Sequence, residues 1–147
     1  MSFKEQLLQD MKEAMKAKDV IRKNTIQLVR SGVLQVEKDK QVTLDDDGVL
    51  EVIAKELKKR RDSLPDFEKS GRQDLVDGLK REIEVLLSYL PAQLTDDELQ
   101  LIVKEAVSEV GATTMRDIGK VMAVIMPKTT GRADGKRINE IVKEILG

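Results

Sequence analysis

The chain contains no cysteine and no histidine. The first absence removes a thiol nucleophile and a disulfide framework. Together they remove a zinc site of the usual kind and imidazole acid–base catalysis. Aromatic residues are nearly missing as well: Phe3, Phe67 and Tyr89 are the whole set. A protein that holds single-stranded nucleic acid by stacking needs clustered aromatics, so that mode is not expected. The longest apolar run, Val121 to Met126, is far too short to span a bilayer, and no membrane partner is expected. The first residues, MSFKEQLLQDMKEAMK, alternate charged and apolar types, unlike a signal peptide. Charge of one sign is missing too. Basic residues number 26 and acidic ones 27, a net charge of −1, so no global field steers the chain toward nucleic acid. Any such binding must come from a local patch. The cysteine-free composition fits the cytoplasm.

What is present is charge and helical periodicity. Charged residues make up 36% and apolar ones 40%, a mixture suited to a folded chain. Apolar residues recur at three- and four-residue spacing almost everywhere, and strand alternation is almost absent. The pattern predicts an all-α protein in two parts: an N-terminal helical hairpin or bundle over 1–90 and a three-helix unit over 91–147. Phe3, Leu7, Leu8, Met11 and Met15 form a first stripe. Ile26, Val29, Val33 and Val36 form a second, on a helix from about Asp19 to Lys40. Asp45 to Asp47 favour the start of a third, carrying Leu50, Ile53, Ala54 and Leu57. Pro65 either kinks that helix or starts a new one. Val76, Leu79, Ile83, Leu86 and Leu90 mark a fourth, which Pro91 stops. Thr95 with Glu98 is a capping box, followed by Leu99, Val103, Ala106 and Val110 up to Gly111. Thr114 with Asp117 is another, opening a helix that stops at Pro127. Asp134 can cap the last helix, with Ile138, Ile141, Val142 and Ile145 on its buried face.

Two stretches could carry function. GRADGK, Gly131 to Lys136, is not a P-loop. It has three residues between its glycines where four are needed, Arg137 where Ser or Thr belongs, and no preceding strand. What remains is a helix N-terminus beside Lys128, Arg132, Lys136 and Arg137, a plausible contact for phosphate oxygens. The alternative is a glycine turn with solvated charges, and the capping carboxylate of Asp134 favours that alternative. KELKKRRD, Lys55 to Asp62, places Lys55, Lys58 and Lys59 on one side of a helix. They are either a second phosphate-facing patch or an ordinary solvated face. Arg61 lies over Ala54 on the apolar stripe, so it is expected to snorkel or to pair at an interface between the two parts. The aspartates at 45–47 lack the spacing of a calcium loop, and no metal or cofactor site is expected. No arrangement of residues supports catalysis.

ELKKRRDSLPDFEKSGRQDLVDGLKREIEVLLSYLPAQLTDDEL, followed by GKVMAVIMPKTTGRADGKRIN, resembles the YqeY family over nearly the whole chain. From about Leu90 onward the chain also resembles the tail of the B subunit of glutamine-dependent aminoacyl-tRNA amidotransferase. The matching positions are Gly119, Met126, Lys128, Gly131, Arg132, Ala133, Asp134 and Asn139. The chain departs from that tail at Asp134, where Asn is frequent, and at Gly135, where Pro is frequent. The resemblance implies a non-catalytic helical module associated with tRNA. Its contacts would be Lys120, Lys128, Gly131, Arg132, Lys136 and Arg137, with help from Lys55, Lys58 and Lys59. The resemblance implies association with a glutamine-dependent carbon–nitrogen ligase and not that activity in this chain, since the parent enzyme's catalytic domains do not fit in it. A protein adaptor docking on amidotransferase, synthetase or other translation components is the alternative.

Overall fold

The computed structural model describes residues 1–147 and contains seven α-helices and no strand. It divides into two compact units, Met1–Leu90 and Pro91–Gly147.

The first unit holds α1 (Phe3–Lys16), α2 (Val20–Lys40), α3 (Asp46–Ser70) and α4 (Gln73–Leu87). Ser2 and Glu5 form a capping box on α1, while Asp19 and Asp45 cap α2 and α3. Each cap oxygen satisfies an amide that has no partner inside its helix. α1 packs along α2 and α3 along α4, through turns of three and two residues. The second turn places Gly71 at φ +71°, a conformation open to glycine at little cost. Leu7, Ile26, Val29, Val49, Ile53, Leu57 and Leu86 fill the core. Each such side chain, taken from water, contributes about 1.5–3 kcal/mol.

The second unit holds α5 (Asp96–Val110), a single 3-10 turn (Met115–Asp117), α6 (Ile118–Thr129) and α7 (Gly135–Leu146). Both expected capping boxes form, Thr95 with Glu98 and Thr114 with Asp117, although the second opens the 3-10 turn. Leu99, Val103 and Ala106 of α5 pack against Val121 and Ile125 of α6 and Ile138, Ile141 and Val142 of α7.

Three local expectations are corrected. The buried face of α1 is Leu7, Asp10 and Ala14, and Met15 is exposed. Neither Pro65 nor Pro127 ends a helix: α3 runs on to Ser70 and α6 to Thr129. Both prolines are exposed, so each ring sits where its missing N–H removes no buried hydrogen bond. α4 ends at Leu87, ahead of Pro91. Arg61 is partly buried, and the buried cation of α3 is Arg60. Arg60 pairs with Glu56 at 2.7 Å and with Glu82 of α4 at 3.4 Å, which places it inside the first unit.

Candidate functional site

The corner between α6 and α7 gathers four of the expected residues: Lys128, Gly131, Arg132 and Lys136. Its shape follows from local chemistry. Thr129 turns inward, and its buried hydroxyl donates to the Ile125 carbonyl at 3.1 Å. Thr130 does the same toward Met126 at 2.7 Å on the exposed side. Gly131 then takes φ +72°, which reverses the chain. Asp134 accepts from the Lys136 amide at 3.0 Å and starts α7.

The segment before α5 holds this corner from behind. Gln93 Nε2 donates to the Gly131 carbonyl at 2.8 Å, and the Leu94 amide donates to the Arg132 carbonyl at 2.8 Å. Arg132 Nε donates to the Ala92 carbonyl at 3.3 Å, which spends one edge of the guanidinium and leaves its outer nitrogens. Backbone carbonyls that would otherwise point into solvent are thus consumed, and the cationic side chains project from a fixed loop. Lys128 is exposed and forms no ion pair, and Lys136 is exposed.

Arg137 plays a different part. Its Nε and Nη2 grip the Asp96 carboxylate at 2.6 and 2.9 Å, and Nη1 donates to Glu140 at 3.0 Å. Glu144 stands 3.7 Å away. The bond to Asp96 and then that to Glu140 make Arg137 hold its proton still more firmly than a free arginine. The same bond holds the Asp96 carboxyl below the usual carboxylate range. Arg137 is therefore a strut between α7 and α5, with three acidic neighbours, and not a cation facing outward. Sequence reasoning missed Asp96 and Glu144, because their partnership with Arg137 exists only once α5 and α7 pack.

Lys120 stands eight residues before Lys128 on α6, about 12 Å along the axis. It faces Asp117, whose carboxyl the Thr113 and Thr114 amides, and more weakly Lys120, hold low. Lys55, Lys58 and Lys59 lie on α3 in the other unit and are all exposed. Lys58 pairs with Asp62 at 2.8 Å and Lys59 with Glu56 at 3.4 Å, so two of the three charges are compensated along their own helix. Lys55 has no such partner.

No group of histidine, cysteine, aspartate or glutamate side chains is arranged to hold a metal ion. No helix is long and apolar enough to cross a membrane.

The family model described as Yqey-like protein matches residues 4–146. The relatives found include proteins named altered inheritance of mitochondria protein 41, mitochondrial. That of Pyrenophora tritici-repentis is 27% identical over 142 residues, covering 94% of this chain and 77% of the relative. That of Kluyveromyces lactis is 42% identical over 87 residues, covering 58% and 47%. That of Lachancea thermotolerans is 40% identical over 85 residues, covering 57% and 46%. The chain thus spans about three quarters of the first relative and about half of the other two.

Proposed function

The chain belongs to the Yqey-like protein family, and from that premise we propose that it is a non-catalytic module that associates with tRNA through the α6–α7 corner. The observation that carries this reading is the pair of hydrogen bonds from Gln93 and Leu94 to the Gly131 and Arg132 carbonyls. They fix a glycine turn from behind and leave Lys128, Arg132 and Lys136 around it. A cationic loop with its carbonyls consumed suits phosphate oxygens. Three aromatics in the whole chain leave no stacking platform, so recognition is by backbone charge and shape.

The likeness of the second unit to the amidotransferase tail supports tRNA as the nucleic acid. Any carbon–nitrogen ligase chemistry then belongs to a partner enzyme. This chain has no cysteine or histidine, and its carboxylates and lysines are engaged in caps and ion pairs or face solvent. Its composition supports the cytoplasm as the place of work, and the mitochondrial label belongs to the relatives.

Charge reversal tests the assignment. Lys128→Glu with Lys136→Glu should weaken binding to total tRNA at least tenfold at low salt, while Lys55→Glu with Lys59→Glu, an equal change of charge on α3, changes it less than twofold. Equal effects from the two variants would mean that affinity follows overall charge and not the corner.

A further inference from the structure

One side of the α1–α2 pair carries cations and apolar side chains with no free carboxylate among them. The contacts of Lys4 with Glu37 and of Arg30 with Met11 show which sides of the two helices adjoin. At about 100° per residue, Leu8, Met11 and Met15 lie within about 60° of arc on that side of α1, and Lys12 borders them. Lys23, Arg30 and Leu34 lie within about 40° on that side of α2. Between the helices is a cleft of about 100 Å³, lined by Leu7, Val33, Leu34, Arg30, Lys4 and Glu37. Leu7 and Val33 are buried and make its floor, while Leu34 and Met15 stand 64 and 55% exposed beside it.

Arg30 is left without an anion. It is half-buried and forms no ion pair, and its only hydrogen-bonding contact is Nη1 to the Met11 sulfur at 3.6 Å. A thioether is a weak acceptor, so nearly the whole donor fork is unused. Arg22 and Arg60 of the same unit differ: the first has Asp10, the second Glu56 and Glu82. Lys12 and Lys23 form no ion pair either. The one carboxylate on these arcs, Glu37, is already engaged, accepting from Lys4 Nζ at 2.6 Å and from the Leu44 amide at 2.8 Å.

We infer that this cleft receives an acidic amphipathic helix of a partner protein, with a carboxylate on Arg30 and an aliphatic side chain on the Leu7 and Val33 floor. Charge sets the sign of the partner. Unpaired Arg30, Lys12 and Lys23, with no free carboxylate among them, attract an acidic surface and repel a basic one. The planar guanidinium fork matches a carboxylate in particular. The floor then selects among anionic partners. A nucleic-acid backbone would satisfy Arg30 but set its phosphates against Leu34 and Met15. A flat bilayer surface would meet Leu34 and Met15 but leave the cleft unfilled. A helix carrying both carboxylates and leucine-sized side chains does neither. The groove between two packed helices accepts a third by the meshing of side-chain ridges. From Lys4 to Lys16 α1 offers about 18 Å, room for about three turns of such a helix. Met11 and Met15 are unbranched and adaptable, which suits them to its edge. The cleft lies wholly within the first unit, and the inference does not rest on the tRNA reading.

The probe is a synthetic helical peptide with leucines along one face and glutamates flanking them. Its twin carries lysine for every glutamate. Fluorescence anisotropy of each labelled peptide is followed as the full chain is added. The glutamate peptide should bind with a Kd of about 10–100 µM, and the lysine twin about tenfold more weakly or worse. Arg30→Gln and Leu34→Glu alter partly or fully exposed positions and should leave the helical circular dichroism unchanged. Each should weaken the glutamate peptide by about fivefold or more, while Lys55→Glu with Lys59→Glu changes it by less than about twofold. No binding of the glutamate peptide at about 1 mM overturns the inference, as does equal binding of the lysine twin. So does binding that Arg30→Gln and Leu34→Glu leave intact. If Arg30→Gln weakens binding to tRNA or to phosphatidylserine vesicles more than binding to the peptide, the face serves RNA or a membrane and the inference falls.

Discussion

Arg137 of α7 closes a two-bond fork on Asp96 of α5, with Nε–Oδ1 at 2.6 Å and Nη2–Oδ2 at 2.9 Å. A planar guanidinium matches a carboxylate in this way, and a lysine does not. The fork lies two residues into α7, beside the corner that carries Lys128 and Lys136. It both anchors the start of α7 and neutralises acidic groups next to the cationic loop. Arg137→Ala should therefore weaken tRNA binding by exposing Asp96, Glu140 and Glu144, and Arg137→Ala with Asp96→Ala should recover part of the loss. Fluorescence anisotropy with labelled tRNA reads both. If Arg137 contacted phosphate itself, removing Asp96 as well would recover nothing.

Asp134 supplies a sharper test of the corner. Its side chain caps α7 but also places a negative charge where an anion would sit. Asp134→Asn keeps an oxygen for the Lys136 amide and removes the charge. It should tighten tRNA binding about two- to fivefold at low salt, an effect that fades as salt is raised. Asp134→Ala also removes the charge but loses the cap, and should cost about 1 kcal/mol of stability. Unchanged affinity in Asp134→Asn would place the bound phosphate elsewhere.

The pH dependence of stability follows from the partnered carboxylates. Asp19 is held low by the Arg22 amide and then by Arg81, and Glu37 by Lys4 and the Leu44 amide. Glu56 is held low by Arg60 and Lys59 against its burial, Asp96 by Arg137, and Asp117 by two backbone amides. Each has a folded value below its unfolded one. Below about pH 4 the unfolded chain therefore binds more protons than the folded chain, and stability is lost as pH falls through that range. With no histidine, nothing similar happens near neutrality. The urea midpoint should stay level from about pH 5.5 to 8 and drop below about 4. A fall between pH 7 and 5.5 would contradict this.

Tyr89 donates to the Asp10 carboxylate at 2.5 Å, with Gln6 donating to the same group at 2.8 Å. Asp10 is 7% exposed, so its charge depends on these donors and on Arg22 at 3.8 Å. Tyr89→Phe should cost about 1–3 kcal/mol at neutral pH. Burial, and then the Asp10 charge, push the phenol well above its usual value. Its contribution is complete below about pH 10 and is lost as pH rises further. The alkaline fall in stability should be smaller in Tyr89→Phe, as followed by circular dichroism. Equal alkaline falls would assign that loss to other groups.

Much of this fold is legible in local signals. Thr95 with Glu98, Thr114 with Asp117, Asp134, Gly71 and Gly111 act within one helical turn, so their meaning needs no tertiary partner. The stripes of α5 and α7 are equally direct, since both bury a single face against one small core. What escaped depends on distant residues. Asp10 is buried among apolar positions because Tyr89 reaches it from 79 residues away. Arg60 is the inward cation because Glu82 of α4 stands opposite it. The corner's cations were legible as a composition. Their support by Gln93 and Leu94, and the capture of Arg137 by Asp96, arise only from packing within the second unit.

In sequence Pro127 looks like a helix end and Pro65 like a kink or a new start, yet α6 and α3 both continue past them. The packing on either side outweighs the lost bond to the carbonyl four residues back. Pro65→Ala restores that amide on an exposed face and should raise stability by about 1–2 kcal/mol, after allowing for the freer unfolded chain. Urea unfolding measures it. A loss of stability instead would mean that the proline geometry itself shapes α3.

Binding of nuclease-treated protein to total tRNA across a salt series tests the central claim most directly. With Lys128, Arg132 and Lys136 each neutralising a phosphate, log affinity should fall against log salt with a slope of about −2 to −3. No binding at the lowest salt, or binding that salt does not weaken, would contradict the account and leave the corner a capped turn between two core helices.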